Sequence, residues 1–194
     1  MENTIDLIKL SGFNLHYDNN DISHNHVKMN IDDCGITKKD KILEIGCGAG
    51  RLGKIFLENN YNYFGLERSS SLVDKFKKIN GDKINIINNN KIPFENNTFD
   101  VVFCYSVIQY LEDEETFTSF LNEMLRVSKK MVCIYDLETI DSTKNMVNNY
   151  NDNDNLKHLC IQKDYFKSTK GVLFNNLNVS KTTRYNVIIN ITDK

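Results

Sequence analysis

A cluster of alternating glycines, Gly46, Gly48 and Gly50, stands between a short apolar run and a segment with helical spacing. Glycine allows the backbone to turn sharply and lets a ligand approach it closely, and the free N–H groups at the start of a helix attract ligand oxygens. Three alternating glycines between a strand and a helix are unusual in an ordinary tight turn. The cluster therefore predicts a loop that binds a nucleotide-like cofactor.

A dinucleotide such as NAD is one cofactor that this loop could bind. The run Gly48-Ala49-Gly50-Arg51-Leu52-Gly53 matches the dinucleotide fingerprint G-x-G-x-x-G, and Glu67 lies 19 residues after Gly48, near the spacing of a ribose-binding acid. The match is out of frame, because that fingerprint begins where the strand ends, at Gly46, and its third glycine would then fall on Arg51. The position of the glycines relative to the strand, and the length of the chain, disfavour a nicotinamide-dependent oxidoreductase. That class stays an alternative.

Histidine is the side chain best suited to act as a general base near neutral pH. Of the four histidines, His158 follows a long polar stretch and is our candidate base. His24 and His26 lack neighbouring metal ligands, and no two of the five cysteines form a C-x-x-C pair. The sequence predicts no metal site.

Composition bounds the class of protein. The 194 residues are 40% hydrophobic and 26% charged, which fits one globular domain. A net charge of -2 gives no broad basic surface for nucleic acid. The N-terminal segment has no basic region followed by an apolar stretch, and no apolar run approaches the ~18 residues of a membrane span. We expect a reduced, soluble, cytoplasmic protein that binds neither nucleic acid nor membrane.

Short apolar runs alternate with segments of helical period along most of the chain. Five runs are predicted as strands: Lys41–Ile45, Tyr61–Leu66, Lys83–Ile87, Phe99–Tyr105 and Met131–Tyr135. Helices are predicted at about 51–59, after the serines at 69–71, and at 113–128, with a further short helix near 163–166. Such alternation implies a parallel sheet covered by helices on both faces. The segments 172–179 and 184–191 predict a C-terminal hairpin that adds an antiparallel edge strand.

The segment from Asp113 to Ser128 has the strongest periodicity. Its apolar residues recur at spacings of three and four, acidic residues open it, and Lys129 and Lys130 follow it. Both charge clusters favour the helix dipole. This segment is therefore predicted to form a helix.

Four ordered motifs resemble the class I S-adenosylmethionine-dependent methyltransferases, of the small-molecule (type 11-like) branch. They are Ile42-Leu43-Glu44-Ile45-Gly46-Cys47-Gly48-Ala49-Gly50-Arg51, then Tyr63–Glu67, then Ile92-Pro93-Phe94 with Phe99-Asp100, and Glu123–Val127. Together they cover about 100 residues, from Lys41 to Asp136. The resemblance implies a Rossmann-like, doubly wound α/β fold with a seven-stranded sheet in three α/β/α layers.

The resemblance also implies which residues contact S-adenosylmethionine. Glu67 would accept both ribose hydroxyls, and Glu44 would hold the amino group directly or through water. The remaining expected cofactor contacts are Tyr17, Gly46, Cys47, Gly48, Gly50, Arg68, Asn88, Asn89 and Tyr105. Asn88 stands where the family usually has an aspartate, so its hydrogen bond to adenine would be uncharged and weaker.

Acceptor contacts are expected after the fourth strand, at Ser106, Gln109 and Tyr110. We expect one methyltransferase domain over residues 1–194: an N-terminal lid at 1–37, a cofactor-binding core at 38–136, and a substrate-side loop with the hairpin at 137–194. The predicted reaction is direct methyl transfer to a small-molecule acceptor such as a sugar or natural-product intermediate. We expect the protein to be a monomer or a homodimer. A catalytically silent cofactor-binding module is the other alternative.

Overall fold

The computed structural model describes residues 35–87, 91–138, 159–179 and 182–191. These residues form seven strands, three helices and two short 3-10 turns. In chain order the elements are β1 Lys41–Ile45, α1 Arg51–Glu58, β2 Asn62–Glu67, α2 Ser70–Asn80, β3 Ile84–Ile86, β4 Phe99–Tyr105, a turn at Ile108–Tyr110, α3 Glu114–Val127, β5 Ser128–Glu138, a turn at Lys163–Phe166, β6 Val172–Val179 and β7 Thr182–Asn190.

The strands form one sheet in the order β3-β2-β1-β4-β5-β7-β6. Neighbours from β3 to β5 are parallel, and β7 runs antiparallel to both β5 and β6. The doubly wound fold with an antiparallel hairpin strand is confirmed. The antiparallel strand β7 lies between β5 and β6, however, and not at the edge. Strand order reverses between β1 and β4, where sheets of this kind bind ligands at the carboxyl ends.

Each face of the sheet carries its own hydrophobic core. One core packs α1 and α2 on the sheet through Leu52, Phe56, Val73 and Phe76. The other packs α3 on the opposite face through five buried side chains, Phe117, Phe120, Leu121, Met124 and Val127. Neighbouring strand residues point to opposite faces, so each central strand contributes to both cores. The three-layer prediction is confirmed.

Most predicted boundaries fall within two residues of the observed ones, and the largest difference concerns β5. β5 runs from Ser128 to Glu138, three residues longer at each end than predicted. Helix α3 therefore ends at Val127, one residue earlier than predicted, because Ser128 pairs with Phe99 and begins the strand. The start of α3 is as expected, since the Asp113 side chain accepts a hydrogen bond of 2.8 Å from the backbone N–H of Thr116. No helix among the described residues is long and apolar enough to cross a bilayer.

Candidate cofactor site

The glycine loop connects β1 to α1 at the point where strand order reverses. Gly46, Gly48 and Gly50 have φ angles of +73°, +57° and +88°, which side-chain-bearing residues rarely adopt. A Cβ atom on Gly50 would also lie 2.3 Å from Nδ2 of Asn80 and 2.4 Å from Cδ2 of Phe76. Backbone geometry and packing against α2 thus require glycine in this loop.

Glu67, the last residue of β2, fastens the loop to the neighbouring strand. Its carboxylate is 7% exposed. Oε2 accepts a hydrogen bond of 2.9 Å from the N–H of Gly48, and Oε1 accepts bonds of 2.8 and 2.9 Å from the N–H groups of Arg68 and Ser69. A carboxylate has about four acceptor positions, so these bonds leave about one, on Oε2. Glu67 can receive one ribose hydroxyl without giving up a backbone donor.

Glu44 lies beneath the loop, in the core shared with α1 and α2. Its side chain is 3% exposed, and the hydroxyl of Tyr63 donates a hydrogen bond of 2.5 Å to Oε2. Burial raises the pKa of Glu44 to about 7, although the Tyr63 hydrogen bond and the charge of Arg51 act in the opposite direction. The carboxyl is therefore an internal group, and it can titrate near neutral pH.

Cys47 also points inward from the loop. Its side chain is 5% exposed, and a Cβ on Gly65 would lie 2.8 Å from its sulfur. Burial, with the nearby charges of Glu44 and Glu67, raises the pKa of the thiol well above its ordinary value. The sulfur packs against Gly65 of β2 in the core under α1 and α2, so only the backbone of Cys47 lies along the loop.

Tyr105 and Arg68 lie at the carboxyl ends of their strands, as predicted. The guanidinium of Arg51, the first residue of α1, lies over the Tyr105 ring at 5.4 Å from its centroid. Arg68 is exposed. Tyr105 therefore borders the glycine loop, and Arg68 borders Glu67.

A second polar cluster lies where β4 and β5 end. The hydroxyl of Ser106 donates a hydrogen bond to Oδ2 of Asp136, and the N–H of Asp136 donates one of 2.9 Å to Oδ1 of Asn186 on β7. The three side chains are at most 8% exposed. Val107 connects this cluster to the cofactor loop, because its Cγ2 lies 2.5 Å from where a Cβ on Gly46 would be.

Gln109 and Tyr110, the other predicted acceptor contacts, differ in burial. Gln109 is 4% exposed, and its Oε1 has no hydrogen-bond partner among the described residues. Its backbone carbonyl accepts a bond of 3.1 Å from the N–H of Leu159. Tyr110 is 50% exposed. The structure brings Ser106 and Gln109 to the protein interior and leaves Tyr110 at the surface.

Tyr17, Asn88, Asn89 and His158 lie outside the described residues, as does most of the predicted lid. Within the described ranges, no three His, Cys, Asp or Glu side chains are placed to hold a metal ion.

Sequence reasoning expects the region from Asp136 to His158 to help form the acceptor site, but it did not single out the Asp136 carboxylate and missed the structural partners Tyr63 and Asn186. An acid directly after an apolar strand, as at Glu67, could have singled out Asp136. A buried asparagine inside an apolar run, as at Asn186, gives a weaker signal. Nothing in the sequence indicates that Tyr63 pairs with Glu44.

The loop and Glu67 fit a ribose-bearing cofactor. The backbone of the loop is open to close approach, and a strand-end carboxylate with a remaining acceptor position stands beside it. Tyr105 and Arg51 border the same loop.

Comparison with known proteins shows which proteins this chain resembles. Residues 43–135 match the family model described as a methyltransferase domain. The chain is 32% identical over 108 residues to an uncharacterized methyltransferase of Schizosaccharomyces pombe, an alignment that covers 48% of this chain and 38% of that protein. It is 29% identical over 108 residues to a ubiquinone biosynthesis O-methyltransferase of Rickettsia bellii, covering 54% of this chain and 43% of that protein.

The matched segment thus spans less than half the length of these curated relatives. A solved S-adenosylmethionine-dependent methyltransferase of Methanosarcina mazei superposes with a TM-score of 0.64 at 15% identity, over 90% of this chain and 98% of that one. At that identity the superposition shows the shared fold. The family match over residues 43–135 and the ordered motifs make this chain similar to the class I S-adenosylmethionine-dependent methyltransferases, and the shared fold supports that relationship.

Proposed function

We propose that the protein transfers the methyl group of S-adenosylmethionine to a small-molecule acceptor by direct displacement. The observation that carries this proposal is the glycine loop fastened through Gly48 to the strand-end carboxylate of Glu67. Loop and carboxylate stand together at the switch point of the sheet, where ligands of such folds bind.

Different residues around the loop would contact different parts of the cofactor. The loop backbone would lie along the methionine and ribose portion, and Glu67 would accept a ribose hydroxyl. Glu44 is internal, so it would act on the amino group through the loop or a water molecule. Tyr17, Asn88 and Asn89 stay proposed contacts on the resemblance alone.

S-adenosylmethionine supplies an activated methyl group on a sulfonium centre. The protein's own contribution is then to hold the acceptor in line with that group and to exclude water. Ser106 and Gln109, which are buried after the end of β4, would contribute to this task.

The small-molecule acceptor is supported by charge and by the relatives. A net charge of -2 offers little of the basic surface that nucleic acid substrates need. The Rickettsia relative is named as an O-methyltransferase of ubiquinone biosynthesis. We further propose a cytoplasmic enzyme, monomeric or homodimeric, that does not bind nucleic acid.

Cofactor-dependent stabilisation tests the proposal. S-adenosylhomocysteine at 100 times its dissociation constant should raise the free energy of unfolding by about 2.7 kcal/mol, and NAD should not. Stabilisation by NAD alone would support the oxidoreductase alternative. Cofactor binding without methylation of any acceptor would instead support a silent module.

Gly48→Val tests the loop itself. A branched side chain at a φ of +57° strains the backbone and occupies cofactor space, so binding of S-adenosylhomocysteine should be lost. Asn97→Val is the matched control, because Asn97 has a φ of +54° in an exposed turn before β4, at the amino end of the sheet. Unchanged calorimetric affinity in a folded Gly48→Val variant would refute the loop assignment.

A further inference from the structure

We propose that the Asp136 carboxylate, held by Ser106 and Asn186, binds a hydroxyl-bearing acceptor and takes up its proton during methyl transfer. This inference rests on the proposed function and names its substrate class.

Asp136 stands at a bulge in β5. Ile134 pairs with Val187 and Leu137 with Tyr185, so Tyr135 and Asp136 together oppose the single residue Asn186. Such bulges redirect a side chain and are frequent beside active sites. At this bulge the N–H of Asp136 donates a hydrogen bond of 2.9 Å to the Asn186 side chain. The bulge thus directs the Asp136 carboxylate to the end of β4.

The backbone at this point is held in an unfavourable conformation. Ser106 and Asp136 have φ angles of +53° and +65°. Two other non-glycine residues in the described ranges share such angles, Asn60 and Asn97, and both are exposed residues in turns. Ser106 and Asp136 are instead buried and hydrogen bonded to each other. Strain of this kind persists where the surroundings enforce it, and it concentrates at functional sites.

The cluster lies next to the cofactor loop. Ser106 immediately precedes Val107, whose side chain closes over Gly46. Strand β4 lies between β1 and β5, so its carboxyl end separates the loop from Asp136. Three residues beyond Ser106, the buried Oε1 of Gln109 provides another acceptor for a polar hydrogen. Because β1, β4 and β5 are parallel, their carboxyl ends lie at the same end of the sheet, and the cofactor loop and Asp136 flank the end of β4.

The Asp136 carboxylate and the Gln109 carbonyl oxygen favour a hydroxyl acceptor over an amine acceptor. An ionised carboxylate accepts hydrogen bonds, so it selects a partner that brings a proton. A hydroxyl gains nucleophilicity when that proton is removed. An amine already has a lone pair, and a neighbouring carboxylate would favour its unreactive ammonium form.

The proton and electrons balance in this step. The acceptor oxygen forms its bond to the methyl carbon with its own electron pair, and the electrons of the broken carbon–sulfur bond stay on sulfur. The O–H bond breaks, and its proton moves to the Asp136 carboxylate. Ser106 keeps the carboxylate oriented through its hydrogen bond to Oδ2.

The test uses labelled S-adenosylmethionine and three probes of similar size: catechol, benzylamine and benzyl mercaptan. Wild type, Asp136→Asn, Ser106→Gly and Asp82→Asn are compared, with the affinity of S-adenosylhomocysteine measured by calorimetry for each. Asn tolerates the left-handed backbone at 136, and Gly tolerates it at 106. Asp82 is the matched control, because its side chain is 94% exposed before β3, at the opposite edge of the sheet.

We expect label on catechol. Asp136→Asn should lower kcat/KM at least 100-fold, the usual minimum for loss of a general base, while the affinity for S-adenosylhomocysteine changes less than twofold. Ser106→Gly should lower the rate about 10-fold, and Asp82→Asn should match wild type.

Other outcomes overturn the inference. Label on benzylamine or benzyl mercaptan alone, or on no probe, would refute the substrate class. An unchanged rate in Asp136→Asn and Ser106→Gly would refute the role of Asp136, and a loss of activity in His158→Asn instead would favour His158 as the base. A wild type that fails to bind S-adenosylhomocysteine would refute the proposed function, and this inference with it.

Discussion

At the residue scale, Glu67 combines a structural and a binding role. It receives three backbone hydrogen bonds, one of them from the cofactor loop. Glu67→Ala should therefore weaken binding of S-adenosylhomocysteine by about 1.5 to 3 kcal/mol, the range for hydrogen bonds to a charged group. Glu67→Gln should weaken it less, because one oxygen keeps accepting. Calorimetry with the exposed Glu58→Ala as control tests this, and wild-type affinity in both Glu67 variants would contradict it.

Glu44 should make stability depend on pH. Burial raises its pKa from an ordinary 4.5 to about 7, so the folded protein holds its proton more tightly than the unfolded chain does. The resulting stability is complete below pH 4.5 and is lost as pH rises through about 7. The loss amounts to about 3 kcal/mol at 1.36 kcal/mol per pH unit.

Urea unfolding of wild type and Glu44→Gln between pH 4.5 and 8 measures this effect. The Gln side chain still accepts the Tyr63 hydrogen bond but cannot ionise. The difference in free energy between the two proteins should change with pH in favour of Glu44→Gln. Parallel curves would show that Glu44 does not titrate in this range.

At the element scale, Arg126 fastens the loop before β4 to helix α3. Its guanidinium donates five hydrogen bonds, to the carbonyls of Ile92 and Phe94, to Asn96, and twice to Glu123. Glu123 in turn accepts the N–H of Ile92 at 2.9 Å. The family-like motifs around Pro93 and Glu123–Val127 therefore hold each other in place.

Removing this connection should destabilise the fold. Arg126→Ala should cost about 2 to 3 kcal/mol, because a partly buried carboxylate and two carbonyls lose their donor. Lys54→Ala is the matched control, because the Lys54 side chain is about as exposed as that of Arg126, but its pair with Glu58 is long, at 3.9 Å, and Glu58 is 64% exposed. Its cost should stay below about 0.5 kcal/mol. Equal unfolding midpoints for the two variants would contradict the structural role of Arg126.

The elements also show how far sequence reasoning reaches. Local patterns predicted β1, β4 and β6 to the residue, because each is a short apolar or alternating run bounded by clear breaks. Glu67 and the glycine loop were predictable for the same reason, since their spacing is local. The Asp136 bulge was not, because it depends on how β5 meets β7 about 50 residues later. Likewise, the burial of Glu44 depends on Tyr63, a partner on the next strand.

At the scale of the whole molecule, the two cores depend on the same sheet. In β4, Val101 packs on the side of α1 and α2, while its neighbour Val102 packs on the side of α3. Unfolding either layer would expose one face of every central strand. We therefore expect the two layers to unfold together in one transition.

Two core truncations test this cooperativity. Leu52→Ala in α1 and Met124→Ala in α3 remove buried side chains, 3% and 0% exposed, from opposite faces of the sheet. Each should cost about 2 to 5 kcal/mol, and because the sites share no contacts their effects should add in the double variant. Both should shift far-UV and near-UV denaturation curves equally. Curves that separate in one variant would mean that a layer unfolds alone, and the shared-sheet argument would fail.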